Sequence, residues 1–184
     1  FLILNDIGKF IKRLGLIVSI PEKSNLFNQK IVFYRARQHK AVVKIEKCID
    51  IGSAPSKYAG ANRFSAEGIS IFYGAEDEET AIKEIIIPSK TDEVITTGKF
   101  IPRKDFNLVD LRNIKQVGIF NKEQLDLVEP SKFLIEFVKN ISKKVTVDTN
   151  ERIDYVPSQI VTEYFRFVLP ETIGKEINGI VYKS

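Results

Sequence analysis

Strand-like and helix-like periodicities interleave irregularly along this chain, an order that reads as an α+β fold with mixed or antiparallel sheets and flanking helices. Asn5 or Asp6 is placed to cap a first helix with Ile7, Phe10, Ile11 and Leu14 along one face. A turn-rich connection from Pro21 to Asn28 leads to strands expected at Lys30–Ala36 and Ala41–Ile45. Gly52 to Gly68 is a long stretch of small and polar residues without periodicity, and loops of that length inside a domain are usually functional. It runs into a β-rich strand at Ile69–Ala75 and an acidic helix start, Glu76-Asp-Glu-Glu79, whose carboxylates suit the helix dipole. That helix carries Ala81, Ile82, Ile85 and Ile86, and Pro88 ends it. Further strands are expected at Glu93–Ile101 and Asn107–Leu111. Helices at Asn121–Val128 and Ser131–Lys144 follow, broken at Pro130, the second turning Phe133, Leu134, Phe137, Val138 and Ile141 inward. A last helix opens at Tyr155 with Pro157 in its first turn, and the chain closes on a turn and strand at Ile177–Ser184.

Composition narrows the function classes. The 184 residues make one domain of ordinary size, and no repeat, low-complexity tract or Gly/Ser-rich linker argues for two. No apolar run approaches the roughly 20 residues of a membrane span. Phe1–Leu4 is apolar but lacks the flanks of a signal peptide. The single cysteine, Cys48, rules out an internal disulfide and fits a reducing, cytoplasmic compartment. With His39 the only histidine, a Cys/His zinc or haem site is not expected, and no acidic loop has the spacing of a Mg²⁺ or Ca²⁺ site. The chain starts at Phe1 and holds no methionine, so a fragment of a longer protein, or a sequence lacking some residues, is expected. Net charge is +4, from 28 basic and 24 acidic residues, with short basic clusters at Lys9–Arg13 and Lys139–Lys144 that read as solvated helix faces.

The sequence has no P-loop, Gly-x-Gly-x-x-Gly, nucleophile elbow or His-Glu-x-x-His. His39, in the polar stretch Arg37-Gln-His-Lys40, reads as an exposed bystander. Carboxylate, arginine, tyrosine and serine chemistry remains. Arg35 follows Val32, Phe33 and Tyr34 inside a strand, where a guanidinium is costly unless it meets an anion. It either pairs structurally or binds a ligand such as phosphate, which its planar fork suits. Arg37 falls on the same face by strand alternation. A second cluster is Arg63 in the long loop, Tyr73 at the end of the next strand and Glu84 in the following helix. Arg63 suits a phosphate and Tyr73 a flat ligand, while Glu84, spaced with Ala81, is expected to look inward.

Phe33-Tyr-Arg-Ala-Arg37, Ala59-Gly-Ala-Asn-Arg-Phe-Ser-Ala-Glu-Gly-Ile-Ser-Ile-Phe-Tyr-Gly-Ala75 and Glu79-Thr-Ala-Ile-Lys-Glu84 together resemble the RES domain, a family named for an arginine, a glutamate and a serine. Gln159–Tyr164 resembles its late helix with a glutamine, and Gly179–Ser184 the strand leading to its serine. The resemblance makes 30–184 the RES domain and 1–29 an N-terminal helix and connection. It implies a fold related to ADP-ribosyltransferases and an activity that consumes NAD⁺ by hydrolysis or phosphorolysis, without a metal. Many members are toxins paired with an antitoxin. The family's arginine corresponds to Arg35, its loop arginine to Arg63, its tyrosine to Tyr73, its glutamate to Glu84 and its serine to Ser184.

On that reading Arg35 and Arg63 hold the pyrophosphate and Tyr73 stacks on nicotinamide. Glu84 stabilises the oxocarbenium-like charge at the ribose carbon, holds the 2′-hydroxyl or orients the incoming water or phosphate, and Ser184 hydrogen-bonds to nicotinamide or ribose. Phe64 stands where toxin members often have tryptophan, and Tyr182-Lys183 precede the serine in place of a proline. Those departures resemble a branch in which an N-terminal helical domain precedes the RES domain. Three alternatives stay open: an ADP-ribosyltransferase with a protein or nucleic-acid acceptor, a non-enzymatic RNA- or protein-binding module using the basic clusters, and a structural ion-pair network of Arg35, Arg63 and Glu84. An antitoxin or regulatory partner and self-association are compatible with each; a membrane is not expected.

Overall fold

The segment LILNDIGKFIKR coils into α1 (Leu2–Arg13), and its apolar stripe of Ile7, Phe10 and Ile11 is fully buried. Each of those side chains contributes roughly 1.5–3 kcal/mol by leaving water. The computed structural model describes residues 2–21, 31–87, 90, 92–120, 122–142 and 155–183. They fall into two compact units, one of 1–20, 61–66 and 105–184, the other of 21–60 and 67–104.

In the first unit α1 packs against α4 (Val128–Ile141) and α6 (Leu169–Ile173). Leu134, Phe137 and Ile141 form the inner line of α4, with Phe133 and Val138 half-buried at its edges. Phe137 meets Phe165 edge to face at 6.2 Å. Phe165 lies in a π-helical turn, Tyr164–Val168, that joins α5 (Val156–Glu163) to α6 and buries two consecutive aromatic residues. A mixed three-stranded sheet completes this unit. β1 (Ile17–Ile20) runs antiparallel to β4 (Phe106–Asp110), and β5 (Gly179–Val181) runs parallel to β4 on its other side.

The second unit is built on an antiparallel ribbon of β2 (Phe33–Lys40) and β3 (Glu93–Phe100), with Arg35 opposite Gly98 and Arg37 opposite Thr96. Alternation divides its side chains between two faces. α3 (Glu78–Ile85) covers the face of Tyr34, Ala36 and Gln38: Glu78 accepts a hydrogen bond from Thr97, and the Gln38 amide exchanges bonds with Ile87. The short α2 (Cys48–Ile51) lies on the face of Arg35 and Arg37. The Asp77 carboxylate caps α3, accepting the Thr80 backbone N–H and hydroxyl, both at 2.8 Å, which hold it below the ordinary carboxylate range.

The α+β class with mixed and antiparallel sheets is as expected, but several boundaries differ. α1 starts at Leu2, so Asn5 and Asp6 lie inside it instead of capping it, and Leu14 falls beyond its end, 38% exposed. β1 fills Ile17–Ile20, where no strand was expected. Ala41–Ile45 forms a turn, because β3 begins opposite Lys40 and leaves no strand to pair with it. Ile69–Ala75 forms a single bridge in place of a strand, where Ala75 and Tyr34 exchange two 2.8 Å hydrogen bonds. Pro130 does not break α4: it sits in the first turn, where a missing N–H leaves no intrahelical bond unmade. The segment before it, Lys122–Leu127, is 3-10 rather than α-helical. Most of the 21–28 connection, Lys30, Pro88, Lys143, Lys144 and Ser184 lie outside the described residues.

Gly8 marks the tightest packing of α1. A Cβ there would stand 2.6 Å from the buried Tyr164 hydroxyl oxygen and 3.3 Å from the Thr172 methyl carbon. Gly8→Ala gains about 1 kcal/mol of helix propensity, but overpacking costs about 1–3 kcal/mol. The variant is therefore expected to melt below the wild type, with most of the loss recovered in the Gly8→Ala/Tyr164→Phe double variant. Calorimetric melting of the three proteins checks this.

Candidate functional site

Arg35 is held in the middle of β2 by three contacts of different kinds. Its Nη1 donates to the Tyr73 carbonyl at 3.0 Å, its guanidinium carbon lies 5.5 Å from the centre of the Phe72 ring, and the surrounding chain half-buries it. Burial pushes its pKa down; the Tyr73 phenol pulls it up, and the neighbouring Arg37 guanidinium again pushes it down. Arg37, one strand repeat away on the same face, donates from Nη1 to the Asp50 carbonyl of α2 at 2.5 Å. Both guanidiniums are thus oriented by neutral main-chain oxygens. Among the described residues neither is paired with a carboxylate, whereas Arg13, Arg112 and Arg166 each are. Two cations fixed side by side without counter-charge make an anion site, and the paired forks suit a group with several oxygens.

Tyr73 is 38% exposed beside that pair, with its carbonyl on Arg35. Glu84 is exposed, not inward. Ala81 and the half-buried Ile82 and Ile85 form the inner line of α3 and turn Glu84 to solvent. α3 covers the ribbon face opposite Arg35, so Arg35 and Glu84 point to different sides of the ribbon. His39 is part of β2 rather than of a polar turn, with Nε2 2.8 Å from the Thr96 hydroxyl and Nδ1 2.9 Å from the Lys40 carbonyl. Within their own units, Arg35 and Arg63 each donate to a main-chain carbonyl.

In the other unit Arg63 sits on a tight turn, Asn62–Ser65, built around one side chain. The Asn62 amide oxygen accepts the N–H groups of Phe64 and Ser65 at 2.9 and 3.0 Å, and its NH₂ donates to the Ser65 hydroxyl at 2.7 Å. α5 fixes the turn from outside. Gln159 Nε2 donates to the carbonyls of Asn62 and Ser65 at 2.8 and 3.0 Å, and the Ser158 hydroxyl donates to the Arg63 carbonyl at 2.6 Å. The Arg63 guanidinium donates to the Ile141 carbonyl at the C-terminal end of α4, where the helix dipole favours a cation. Tyr182 and Lys183 meet the same place: the Ser142 hydroxyl donates to the Lys183 carbonyl at 2.7 Å, and Tyr182 packs on Phe64 at 5.4 Å.

Two contributors are missed by sequence reading. Phe72 looks like any apolar residue of a β-rich stretch, and Ser142 like a residue inside the expected 131–144 helix. Its place before Tyr73 hints at the first, and nothing in the sequence marks the second. Gln159 offers a direct test of the turn. Its truncation removes two hydrogen bonds, at about 1–3 kcal/mol together, from carbonyls that then keep the turn's own N–H groups, Asn62 to Ser65 at 2.9 Å and Ser65 to Asn62 at 3.4 Å. Gln159→Ala is expected to unfold at lower urea concentration by that amount and to speed hydrogen exchange at the amides of Phe64 and Ser65.

Among the described residues no helix is long and apolar enough to cross a membrane, and no group of three or more His, Cys, Asp or Glu side chains is placed to hold a metal. No curated protein and no solved structure matches the chain. The family model of the RES domain matches residues 32–184, a span that includes the Arg35–Arg37 pair, the Arg63 turn, Tyr73 and Glu84. The chain belongs to the RES domain family.

Proposed function

We propose that this protein cleaves NAD⁺ between nicotinamide and ribose, with water or phosphate as acceptor. The RES family is associated with NAD-utilising enzymatic activity of toxin type. The observation that carries the reading is the Arg35–Arg37 pair beside Phe72 and Tyr73, two guanidiniums with no carboxylate partner among the described residues. A pyrophosphate between two aromatic heterocycles has the matching pattern of charge and rings.

Arg35, aided by Arg37, binds the pyrophosphate, and Tyr73 stacks on the nicotinamide. Bond cleavage moves the glycosidic electron pair onto nicotinamide, which loses its positive charge, while the ribose carbon gains oxocarbenium character. The family resemblance assigns Glu84 to that developing charge or to the ribose 2′-hydroxyl; its exposed place on α3, which covers the ribbon face opposite Arg35, makes this the assignment that the Glu84→Gln variant tests most sharply. Ser184 is assigned a hydrogen bond to nicotinamide or ribose. Loss of cellular NAD⁺ would arrest growth, which fits a cytoplasmic toxin or defence effector restrained by an antitoxin or regulatory partner. The described basic clusters give little support to a nucleic-acid module, since Lys9, Arg13 and Lys139 are paired with Asp6, Asp126 and Glu136.

Two variants separate binding from chemistry when free nicotinamide is followed by chromatography. Arg35→Ala is expected to raise KM for NAD⁺ about 10- to 100-fold with a smaller change in kcat. Glu84→Gln is expected to lower kcat at least about 100-fold in a protein that still melts normally. Full turnover in Glu84→Gln would move the catalytic role to another carboxylate. Nicotinamide release that neither variant alters would overturn the site, and transfer of ADP-ribose to a protein or nucleic acid would show as a mass increment on that acceptor.

A further inference from the structure

Phe72 occupies a place that core packing explains poorly. The residue keeps 38% of its surface exposed, yet its ring is fixed from several sides. One face carries the Arg35 guanidinium at 5.5 Å. The ring also meets Phe100 nearly edge to face, 4.8 Å between centroids and 66° between planes. Gly74 leaves the room for this: a Cβ there would stand 2.7 Å from Phe72 Cε1 and 3.3 Å from both Phe33 Cβ and the Tyr34 carbonyl oxygen. The segment that carries Phe72 also supplies the Tyr73 carbonyl to Arg35, and Ala75 ties it to Tyr34 of β2.

The Arg35 fork is therefore located in two ways at once. The Tyr73 carbonyl takes one N–H, which sets the plane, and the electron-rich ring face sets the height above the chain. A hydrogen bond alone would leave the guanidinium able to swing about the donor–acceptor line and relax away from the like charge of Arg37. We propose that Phe72 is a positioning residue for the anion site, holding the Arg35 guanidinium so that the rest of its fork faces, with Arg37, a ligand bearing a diphosphate group. The proposal rests on the reading of Arg35 as the ligand of the NAD⁺ pyrophosphate. It concerns how that arginine is held, and it can be tested on the anion alone.

The test is calorimetric titration of the full chain with inorganic pyrophosphate, alongside nicotinamide-release kinetics. Phe72→Leu removes the ring face and keeps an apolar side chain, and Phe72→Met is the second variant should the first fail to fold. Either is expected to weaken pyrophosphate binding about 3- to 30-fold. The same factor should appear in KM for NAD⁺, with kcat within about twofold of wild type. Phe72→Tyr, which restores the ring, should recover both. The Arg35→Ala/Phe72→Leu double variant should bind pyrophosphate no more weakly than Arg35→Ala, since both changes act through one guanidinium. Unchanged affinity in folded Phe72→Leu or Phe72→Met, losses that add in the double variant, or an Arg35→Ala protein that binds as well as wild type would each overturn the proposal. Coupled loss of pyrophosphate binding in a protein that releases no nicotinamide would leave Phe72 in its role and defeat the NAD⁺ reading instead.

Discussion

Arg35 and Arg37 repel each other across one strand repeat, and the ribbon unit is arranged so that the repulsion persists. Two unit charges roughly 7 Å apart near a protein surface oppose each other by on the order of 1–2 kcal/mol, less at the exposed end of the pair. A structural pair would be neutralised by a nearby carboxylate, as Asp110 neutralises Arg112 with a 2.6 Å contact. Here each guanidinium meets a backbone carbonyl, which orients it and leaves its charge intact. The loop with α2 delivers the Asp50 carbonyl, and the segment before α3 that of Tyr73. An anion reverses the sign of the whole interaction.

The helical unit shows a complementary economy of contacts. The C-terminal end of α4 collects the Arg63 guanidinium, and next to it the Ser142 hydroxyl takes the Lys183 carbonyl. Segments separated by more than a hundred residues thus meet at one helix terminus, whose exposed carbonyls and negative dipole favour donors and cations. Gln159, whose two bonds both go to main-chain carbonyls, acts on backbone shape and so is indifferent to the side chain that the turn carries.

The class of the fold is legible because apolar spacing survives in α1, α4 and the core strands. Arg35 is legible as well, since a guanidinium after Val-Phe-Tyr breaks the pattern of a strand. Where reading fails, pairing or position decides and composition does not. The polar stretch Arg37–Lys40 carries no alternation, yet it continues β2 because β3 offers backbone partners as far as Glu93. Val42 and Val43 are β-branched and lie past that limit, so they turn. Glu84 shares helical spacing with Ala81, but the inner line of a two-turn helix is set by Ile85 on the other flank. Phe72 is visible only in three dimensions, because its partners come from β2 and β3.

The two sheets also differ in when they can exist. The β2–β3 ribbon is complete once Phe100 has been made, and every residue of its unit precedes Asp105. The other sheet needs β1 from the start of the chain and β5 from Gly179–Val181, so its central strand waits for its parallel neighbour. At about 5–20 residues per second of translation, that wait is roughly 4–15 s. The arginine pair is thus assembled on the nascent chain well before the turn of Arg63 can be clamped by α5 or joined by Lys183. Any partner that recognises the ribbon alone would meet its target on the ribosome, ahead of the finished protein.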